Sequence, residues 1–456
     1  MDYIPHTDQE RQKMLADIGV QTIEDLFSDI PPAIRYPDLH LPDGLSEPEV
    51  MQELRGIAEK NCTATSFPTF LGAGAYHHWV PSVVDNIISR GEFSTAYTPY
   101  QAEVSQGTLQ AIFEYQSLIC DLTDMDVANA SHYDGATSTA EAVIQAYNVF
   151  RKKRRRVLIA PTVHPHYTAT VLTYTQGMDL EVSGHEDPSQ TLDQLISQVD
   201  KETACIILQS PNFLGEIEPL EAAITAIRNQ DKAALIVVIA NPISLGLFKA
   251  PGTYGADIVV GDGQPLGLGL NFGGPYLGFY ATRSKYVRQM AGRLVGKALD
   301  IEGRQAYVMT LTTREQHIRR DRATSNICSN QGLMALAATV YLSVLGKNGL
   351  RKLAELNYHK AHYAAREIHK LPGYRVSMRK PFFNEFVVTC PRQVSEINAK
   401  LNSGETGATI IGGYDLGEWR SSWNHQMLVA VTEMNTRADM DALVAGLAAI
   451  SPTEEM

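Results

Sequence analysis

The fold of this chain is decided by three runs of apolar residues: 204-ACIILQ-209, 235-LIVVIA-240 and 258-IVV-260. The segments 192–199 and 220–228 have helical spacing, and each lies directly before one of the first two runs. They are predicted to be crossover helices. Two further runs of the same kind lie outward of these three: 157–160 and 276–281. Strands that alternate with helices predict a mostly parallel sheet buried on both faces, and therefore an α/β fold.

The pattern changes after a helix-rich zone at 315–370. Strand patterns at 386–388 and 428–431 are flanked by helical patterns at 393–401 and 438–450. This arrangement predicts a smaller C-terminal α+β domain beside the large sheet.

The first part of the chain is predicted to be a helical arm. Apolar residues recur at helical spacing from Thr7 to about Ile34, Thr7 and Glu10 can form a capping box, and a second helix is predicted from Glu49 to Lys60. The apolar stripe of this arm is expected to take part in a subunit interface. The predicted organisation is an arm at 1–65, a large domain at 66–345 and a small domain at 346–456.

Composition excludes some classes of protein. The 456 residues include 39 Lys and Arg against 51 Asp and Glu, a net charge of −12, which excludes a generally basic surface that coats nucleic acid. The longest apolar run, 233–240, is far shorter than the roughly 20 residues that span a bilayer. No secretion signal is evident, so a cytoplasmic protein without a membrane segment is expected.

The five cysteines are widely scattered and form no C-x-x-C pair. They are predicted to be small buried thiols, and no metal site is expected.

Three polar stretches are candidates for chemistry. Segment 97–107 (YTPYQAEVSQG) combines tyrosines, amides, a carboxylate and a hydroxyl, which favours a polar cleft but also fits an exposed turn. Segment 135–139 (GATST) opens a helical pattern and either presents N–H groups to an anion or simply caps the helix. Segment 312–328 carries arginines that either bind carboxylate or phosphate or pair with acids along one helix.

Five strings resemble the P-protein family of the glycine cleavage system: 70-FLGAGAYHH-78, 95-TAYTPYQ-101, 133-YDGATS-138, 271-NFGGPYLGF-279 and 313-TREQHIRR-320. The likeness extends from the N-terminal arm to Thr432–Asn435, nearly the whole chain. More narrowly, the chain is similar to the N-terminal, or α, subunit of the two-chain form of that enzyme.

The resemblance implies a fold-type I, aspartate-aminotransferase-like enzyme that depends on pyridoxal 5'-phosphate (PLP). It implies the activity of glycine dehydrogenase (aminomethyl-transferring, decarboxylating), in which glycine loses CO2 and its aminomethyl group passes to the lipoyl group of H-protein. The cofactor supplies the electron sink, and the protein supplies a Schiff-base lysine and an acidic partner for the pyridine nitrogen. The implied partners are glycine dehydrogenase subunit 2, lipoylated H-protein and glycine, with no nucleic acid and no membrane.

Both protein groups are missing where the fold would place them. The run 235–240 ends in Asn241, and a neutral amide cannot form the ion pair that keeps the ring nitrogen protonated. The loop 261-GDGQPL-266 after the next run holds no lysine; Lys249 comes too early, and Lys285 follows a later strand. We therefore expect a chain that keeps the fold but not the covalent site.

Under this interpretation subunit 2 holds PLP through its own lysine, and this chain completes the pocket across the interface. The expected catalytic contribution comes from Tyr97, Tyr100, Gln101, Glu103 and Ser105. The residues expected near the cofactor phosphate are Arg314, His317, Thr324, Ser325 and Asn326. Two alternatives stay open: the chain binds PLP itself through a lysine such as Lys249, or it is a catalytically silent structural or regulatory subunit.

Overall fold

A computed structural model describes residues 5–327, 331–378 and 380–450. The residues up to Cys62 form one compact unit, and the residues from Thr63 onward form a second. The domain boundaries predicted at 65/66 and 345/346 stay predictions.

The first unit contains the helices α1 (Asp8–Ile18) and α2 (Glu47–Ala58). The predicted capping box of α1 is present, with the Glu10 N–H donating to Thr7 Oγ1 at 3.3 Å. The prediction that helical structure continues regularly to Ile34 is wrong, because Gly19 takes the left-handed conformation (φ 91°) and ends the helix. Short 3-10 turns follow in its place.

The large sheet of the second unit confirms the predicted mostly parallel architecture. Its described strands are β1 (Val127–Ala128), β2 (Arg156–Ile159), β3 (Glu181–Ser183), β4 (Thr203–Gln209), β5 (Leu235–Ile239), β6 (Ile258–Asp262) and β7 (Gly278–Thr282). The strand order is β1-β7-β6-β5-β4-β2-β3. Strands β2 to β6 are parallel, and β7 is antiparallel to both of its neighbours. Strand β5 is buried along its whole length, as expected for a sheet covered on both faces.

Helices surround this sheet and continue into the C-terminal part. Their described bounds are α3 (Ser82–Ile88), α4 (Gly91–Ser94), α5 (Gln106–Thr123), α6 (Gly135–Val149), α7 (Pro165–Thr175), α8 (Leu192–Ile196), α9 (Leu220–Gln230), α10 (Gln316–Arg319), α11 (Gly332–His369), α12 (Val394–Ser403) and α13 (Arg437–Ile450). Helix α6 packs against strands β4 to β7 and begins at the carboxyl ends of the parallel strands. The predicted crossover helices correspond to α8 and α9.

Among the described residues, one helix, α11, is long and apolar enough to cross a membrane by length and composition alone. Its most apolar window is 44% buried within the structure. The helix bends at Gly346 (φ 57°), and it contributes Ala337, Ala338 and Tyr341 to the core beneath the large sheet. Core helices of soluble proteins commonly meet the same length and composition criteria.

Two smaller sheets complete the second unit. The strands β8 (Leu294–Leu299) and β9 (Gln305–Thr310) form an antiparallel hairpin that the sequence analysis did not predict. The strands β10 (Arg375–Val376), β11 (Glu385–Thr389), β12 (Tyr414–Asp415) and β13 (Gln426–Ala430) form an antiparallel sheet in the order β10-β11-β13-β12. This sheet packs with α12 and α13 around its own apolar core, which confirms the predicted C-terminal α+β architecture.

Candidate functional site

A small cavity of about 40 Å³, the strand-end cavity, lies at the carboxyl ends of β4, β5 and β6. Parallel α/β sheets bind their ligands at this edge. Its polar lining consists of Tyr76, His164, Tyr167, Gln209, Asn212, Asn241, Asp262, Asn384 and Glu385. No lysine lies among the described residues that line it, and Asn241 follows β5 where an acid was sought.

The N-terminus of α6, for which the sequence left anion binding and helix capping open, is occupied by side chains of this chain. Asp134 accepts a hydrogen bond from the Thr137 N–H at 2.7 Å in a capping box. The Gly135 N–H donates to Asp262 Oδ2 at 3.1 Å. A side chain on Gly135 would collide with the hydroxyl of Tyr167. The positive end of the helix therefore already faces carboxylates of the protein itself.

Burial shifts the protonation of Asp262. Desolvation raises the pKa of this carboxyl to about 7, and hydrogen bonds from the backbone N–H groups of Gln264 and Gly135 oppose the rise. The Gln264 N–H donates to Asp262 Oδ1 at 2.8 Å. Asp262 is thus held by backbone N–H groups, and among the described residues it forms no ion pair with a cationic side chain.

Gln264 lies in the loop after β6, where the fold would place a Schiff-base lysine, and it is fully buried. Its Oε1 accepts from the Tyr76 N–H at 2.9 Å, while its Nε2 donates to the carbonyls of Tyr76 and Leu268, both at 2.9 Å. Three hydrogen bonds to backbone groups thus connect the Gln264 side chain to Tyr76 and to Leu268, which is a structural role.

Glu385 closes the opposite side of the strand-end cavity. Its carboxylate accepts from the Tyr76 hydroxyl and from the Ala73 N–H, both at 2.7 Å. Burial raises the pKa of Glu385 to about 7, against the two hydrogen bonds that lower it. The acid lies on β11, so these bonds tie the small sheet to the segment at 73–76.

The residues present do not fit PLP. A cavity of about 40 Å³ is much smaller than the roughly 300 Å³ at which ligand pockets begin, and Tyr76 and Glu385 in its lining already bond to each other. Lys249, the alternative attachment residue, lines a separate groove of about 740 Å³ together with Phe248 and Tyr254. The strand-end cavity thus offers neither the space nor the residue types that the cofactor requires.

The predicted catalytic segment lies away from this cavity, and its tyrosines face outward. Tyr97 is 76% exposed and Tyr100 is 52% exposed. Gln101 and Glu103 are exposed, and the half-buried Ser105 stands at the start of α5. Tyr97 also lines a cavity of about 290 Å³ whose walls are mostly apolar and come from 93–99, α5 and the start of α11.

Tyr100 is the centre of a group that we call the Tyr100 cluster: Tyr100, Arg293, Glu315 and His317. The Tyr100 hydroxyl lies 3.3 Å from both Arg293 Nη2 and Glu315 Oε2. The His317 ring meets the Tyr100 ring edge-on at 5.5 Å between centroids. Arg293 Nε and His317 Nδ1 lie 3.5 and 3.6 Å from Glu315 Oε2.

Arg314, predicted to lie on the phosphate side of the cofactor, directs its guanidinium at backbone carbonyls. Its Nε donates to Leu311 O at 3.1 Å, its Nη2 to Gly292 O at 2.9 Å and its Nη1 to Val287 O and Met290 O. Burial lowers the pKa of Arg314. These contacts fasten the turn at 311–315 to the turn at 287–292.

The other predicted phosphate-side residues follow on the same loop. Thr324 and Ser325 line a cavity of about 20 Å³ with Arg314, and Asn326 is exposed. Ser325 Oγ bonds to Glu141 Oε1 of α6 at 2.5 Å. Burial raises the pKa of Glu141 to about 7. The loop is therefore latched to α6 by a buried acid.

The structure brings together one residue from each predicted set, Tyr100 and His317, while Gln101 and Glu103 lie exposed beside them. Whether these residues act on a substrate or a cofactor stays a prediction. Sequence reasoning did not select Arg293, Glu141 or a role for Glu315 beyond helix pairing. Arg293 precedes a hairpin that was not predicted, so no pattern placed it opposite Glu315.

The cysteines correct one expectation. Cys205 and Cys390 are buried, and burial raises the pKa of each thiol to about 12, but Cys62 is exposed. Cys328 lies outside the described residues. In the described ranges, no group of three or more His, Cys, Asp and Glu side chains is arranged to hold a metal ion.

Comparisons with known proteins agree on one family. The family model described as "Glycine cleavage system P-protein" matches residues 1–447. A curated relative from Bacillus cytotoxicus, "Probable glycine dehydrogenase (decarboxylating) subunit 1", is 51% identical over 452 residues, which are 98% of this chain and 99% of the relative.

Solved structures are similar as well. A crystal structure of glycine decarboxylase (P-protein) of the glycine cleavage system, in inhibitor-bound form, has a TM-score of 0.88 and 41% identity, and covers 99% of this chain and 100% of its own. A mutant of C-DES, solved with glycine covalently linked to the PLP cofactor, has a TM-score of 0.59 and 13% identity, and covers 90% of this chain and 99% of its own. The second likeness concerns the fold alone, which is that of fold-type I PLP enzymes.

Proposed function

This chain belongs to the family of the glycine cleavage system P-protein, and we propose that it is the subunit of a two-chain glycine dehydrogenase (decarboxylating) that completes an active site held by its partner. With subunit 2, it releases CO2 from glycine and transfers the aminomethyl group to the lipoyl group of H-protein. The complex works in the cytoplasm and involves neither nucleic acid nor a membrane.

One observation supports the proposal that subunit 2 holds the cofactor and this chain completes the active site. The strand-end cavity of this chain measures only about 40 Å³, and its acids Asp262 and Glu385 already accept hydrogen bonds from backbone N–H groups, whereas Tyr97 and Tyr100 are exposed. A chain with a PLP-enzyme fold and no room for PLP at its own sheet edge has catalytic use only at a site shared with another chain. Subunit 2 therefore holds the cofactor covalently in our proposal.

The chemistry sets what this chain must supply. PLP, bound to the partner, supplies the electron sink for the charge that develops when glycine loses its carboxylate. Hydroxyl and carboxylate groups of Tyr97, Tyr100 and Glu103 orient the reacting groups and exclude competing geometries, with Gln101 and Ser105 beside them. Arg314, His317, Thr324, Ser325 and Asn326 belong to the loop on the cofactor's phosphate side in this arrangement.

Reconstitution tests the proposal. The purified chain alone is expected to show no absorbance of lysine-bound PLP and no exchange of labelled CO2 into glycine. Addition of subunit 2 and lipoylated H-protein should restore exchange. Turnover by the isolated chain, or a PLP absorbance band that disappears in a Lys249→Ala variant, would contradict it.

The second candidate is a silent structural or regulatory subunit, favoured by the number of pocket groups that serve only to hold the fold together. Under that hypothesis, conservative changes at Tyr97, Tyr100 and Glu103 leave turnover of the complex unchanged. Exchange assays on such variants separate the two candidates.

A further inference from the structure

Tyr100 is 52% exposed, and two charged groups approach its hydroxyl. Arg293 and Glu315 have side chains that are only 9% and 13% exposed, yet both reach this one hydroxyl at 3.3 Å. We propose that Arg293 and Glu315 are positioning residues that fix the direction of the Tyr100 hydroxyl for the shared active site. The inference rests on the proposed function.

The two contacts define the direction of the O–H bond. Arginine only donates and a carboxylate only accepts, so the Tyr100 oxygen accepts from Arg293 and donates its proton to Glu315. Either contact alone would constrain the hydroxyl less than the two together. At 3.3 Å both contacts are longer than a charge-assisted hydrogen bond of ideal length, so their opposite donor and acceptor roles, rather than their strength, set the orientation.

The ring of Tyr100 is fixed by the same neighbours. His317 contacts it edge-on at 5.5 Å, and the Arg293 guanidinium carbon lies 5.7 Å from the ring centroid. Both groups also approach Glu315, so each member of the Tyr100 cluster is held by at least two others.

A rigid support lies beneath the cluster. Arg314 joins the turn that carries Glu315 to the carbonyls of residues 287–292, directly before Arg293. The Arg293 carbonyl accepts from the Ala130 N–H at 2.8 Å, at the edge of the large sheet. Gln106 binds both the Ala102 and the Tyr307 carbonyls, which anchors the segment after Tyr100 to β9.

Such support is needed where precision matters. Displacement of a reacting group by about 1 Å can lower a rate by about a hundredfold. A surface tyrosine with no role in a reaction gains little from a buried ion pair aimed at its hydroxyl, because water satisfies that hydroxyl equally well.

A double-mutant cycle tests the proposal in the reconstituted two-subunit enzyme with H-protein. Glu315→Gln is expected to lower kcat for glycine–CO2 exchange about tenfold with little change in KM for glycine. Combined with Tyr100→Phe, it should cause no further loss, since Glu315 acts through the hydroxyl that Phe lacks. Glu302→Gln, the same change in an exposed carboxylate paired with Arg304, serves as the matched control and should leave exchange unchanged.

The outcomes are distinguishable. If Tyr100→Phe is impaired and Glu315→Gln is not, or if the two losses multiply, positioning is overturned while the proposed function stands. If Tyr100→Phe is fully active, the catalytic role of Tyr100 fails and positioning fails with it. Size exclusion and thermal unfolding check assembly of each variant. If Glu315→Gln does not assemble, Arg293→Lys, which keeps the charge but loses the planar fork, replaces it in the same cycle.

Discussion

Two regions of this molecule carry polar side chains in similar density and use them in opposite ways. At the strand-end cavity, Glu385 in the lining and Gln264 in the adjoining loop direct their hydrogen-bonding atoms at the chain's own backbone or at a neighbouring tyrosine. In the Tyr100 cluster, two largely buried charged side chains contact the hydroxyl of an exposed tyrosine. In the first region the polar side chains stabilise the fold. In the second, they hold the hydroxyl of a surface residue.

The contrast shows why a fold alone does not locate a function. The edge of the sheet where a fold-type I enzyme is expected to work is here lined by side chains that bond to the chain itself, whereas Tyr100, which we propose for catalysis, lies in a separate exposed segment.

The largest effect on glycine–CO2 exchange is expected from changes in the exposed segment 97–107. Tyr97→Phe and Glu103→Gln should each lower glycine–CO2 exchange of the reconstituted enzyme between about ten- and a thousandfold without dissociating it, because a hydrogen bond made in the transition state is removed. Exchange assays and size exclusion measure the two properties. Tyr174→Phe, an equally conservative change at an exposed position on α7, is the control. Parent-like turnover in both variants would favour the silent-subunit hypothesis.

The arm provides a second kind of outward surface. Deletion of residues 1–34 is expected to weaken binding of subunit 2 about a hundredfold or more, because exposed apolar side chains such as Ile18 and Ile34 would lose their burial in the interface. Analytical ultracentrifugation of mixtures measures the affinity. Lys13→Ala, within α1 and exposed, is the control for a change that removes no apolar contact. Unchanged affinity of the deletion would assign the interface to other surfaces.

The strand-end cavity is tested by installing the residue that it lacks. Gln264→Lys should lower the free energy of unfolding by about 2–3 kcal/mol, because three hydrogen bonds are lost and a charge is buried. It should not produce the absorbance of lysine-bound PLP. The exposed Gln198→Lys should change stability by less than about 0.5 kcal/mol.

A Gln264→Lys variant that takes up PLP would show that the cavity still admits the cofactor. The contrast between the two regions would then rest on one missing side chain rather than on a closed space.

The smallest effect concerns the latch between α6 and the loop at 311–327. Burial raises the pKa of Glu141 to about 7 from its ordinary value of 4.5. A raised folded-state pKa gives a contribution to stability that is complete below the unfolded pKa and is lost as the pH rises through the folded value. Between about pH 6 and pH 7.5, the wild type should therefore lose about 1 kcal/mol relative to Glu141→Gln.

Urea unfolding at both pH values measures this difference. The buried histidines His132 and His164, whose pKa values burial lowers to about 3 and about 4, act in the opposite sense, but they are common to both proteins and cancel in the comparison. Glu114→Gln, at an exposed site on α5, should follow the wild type. If the free energy of unfolding of Glu141→Gln and of the wild type depends on pH in the same way, burial does not raise the pKa of Glu141.

The predicted strands illustrate how far local pattern reaches. The runs at 204–209, 235–240 and 258–260 became β4, β5 and β6 because a strand buried on both faces needs an unbroken apolar run, which is visible in the sequence. The hairpin β8–β9 was not predicted because part of it is exposed, and because small and charged residues interrupt the apolar residues of β8. The absence of a lysine in the loop after β6 was likewise readable residue by residue.

What the sequence determined by itself was the class of fold, the family and the absence of a lysine from the loop 261–266, since each depends on the identity or the spacing of neighbouring residues. What only the tertiary structure decided was which side chains meet. Gln264 and Tyr76 are 188 positions apart, and Tyr100 and Glu315 are 215 apart, yet each pair is within hydrogen-bond distance. Side-chain hydrogen bonds act over about 3 Å, so contacts of such long sequence separation are set by the packing of the whole sheet and its loops.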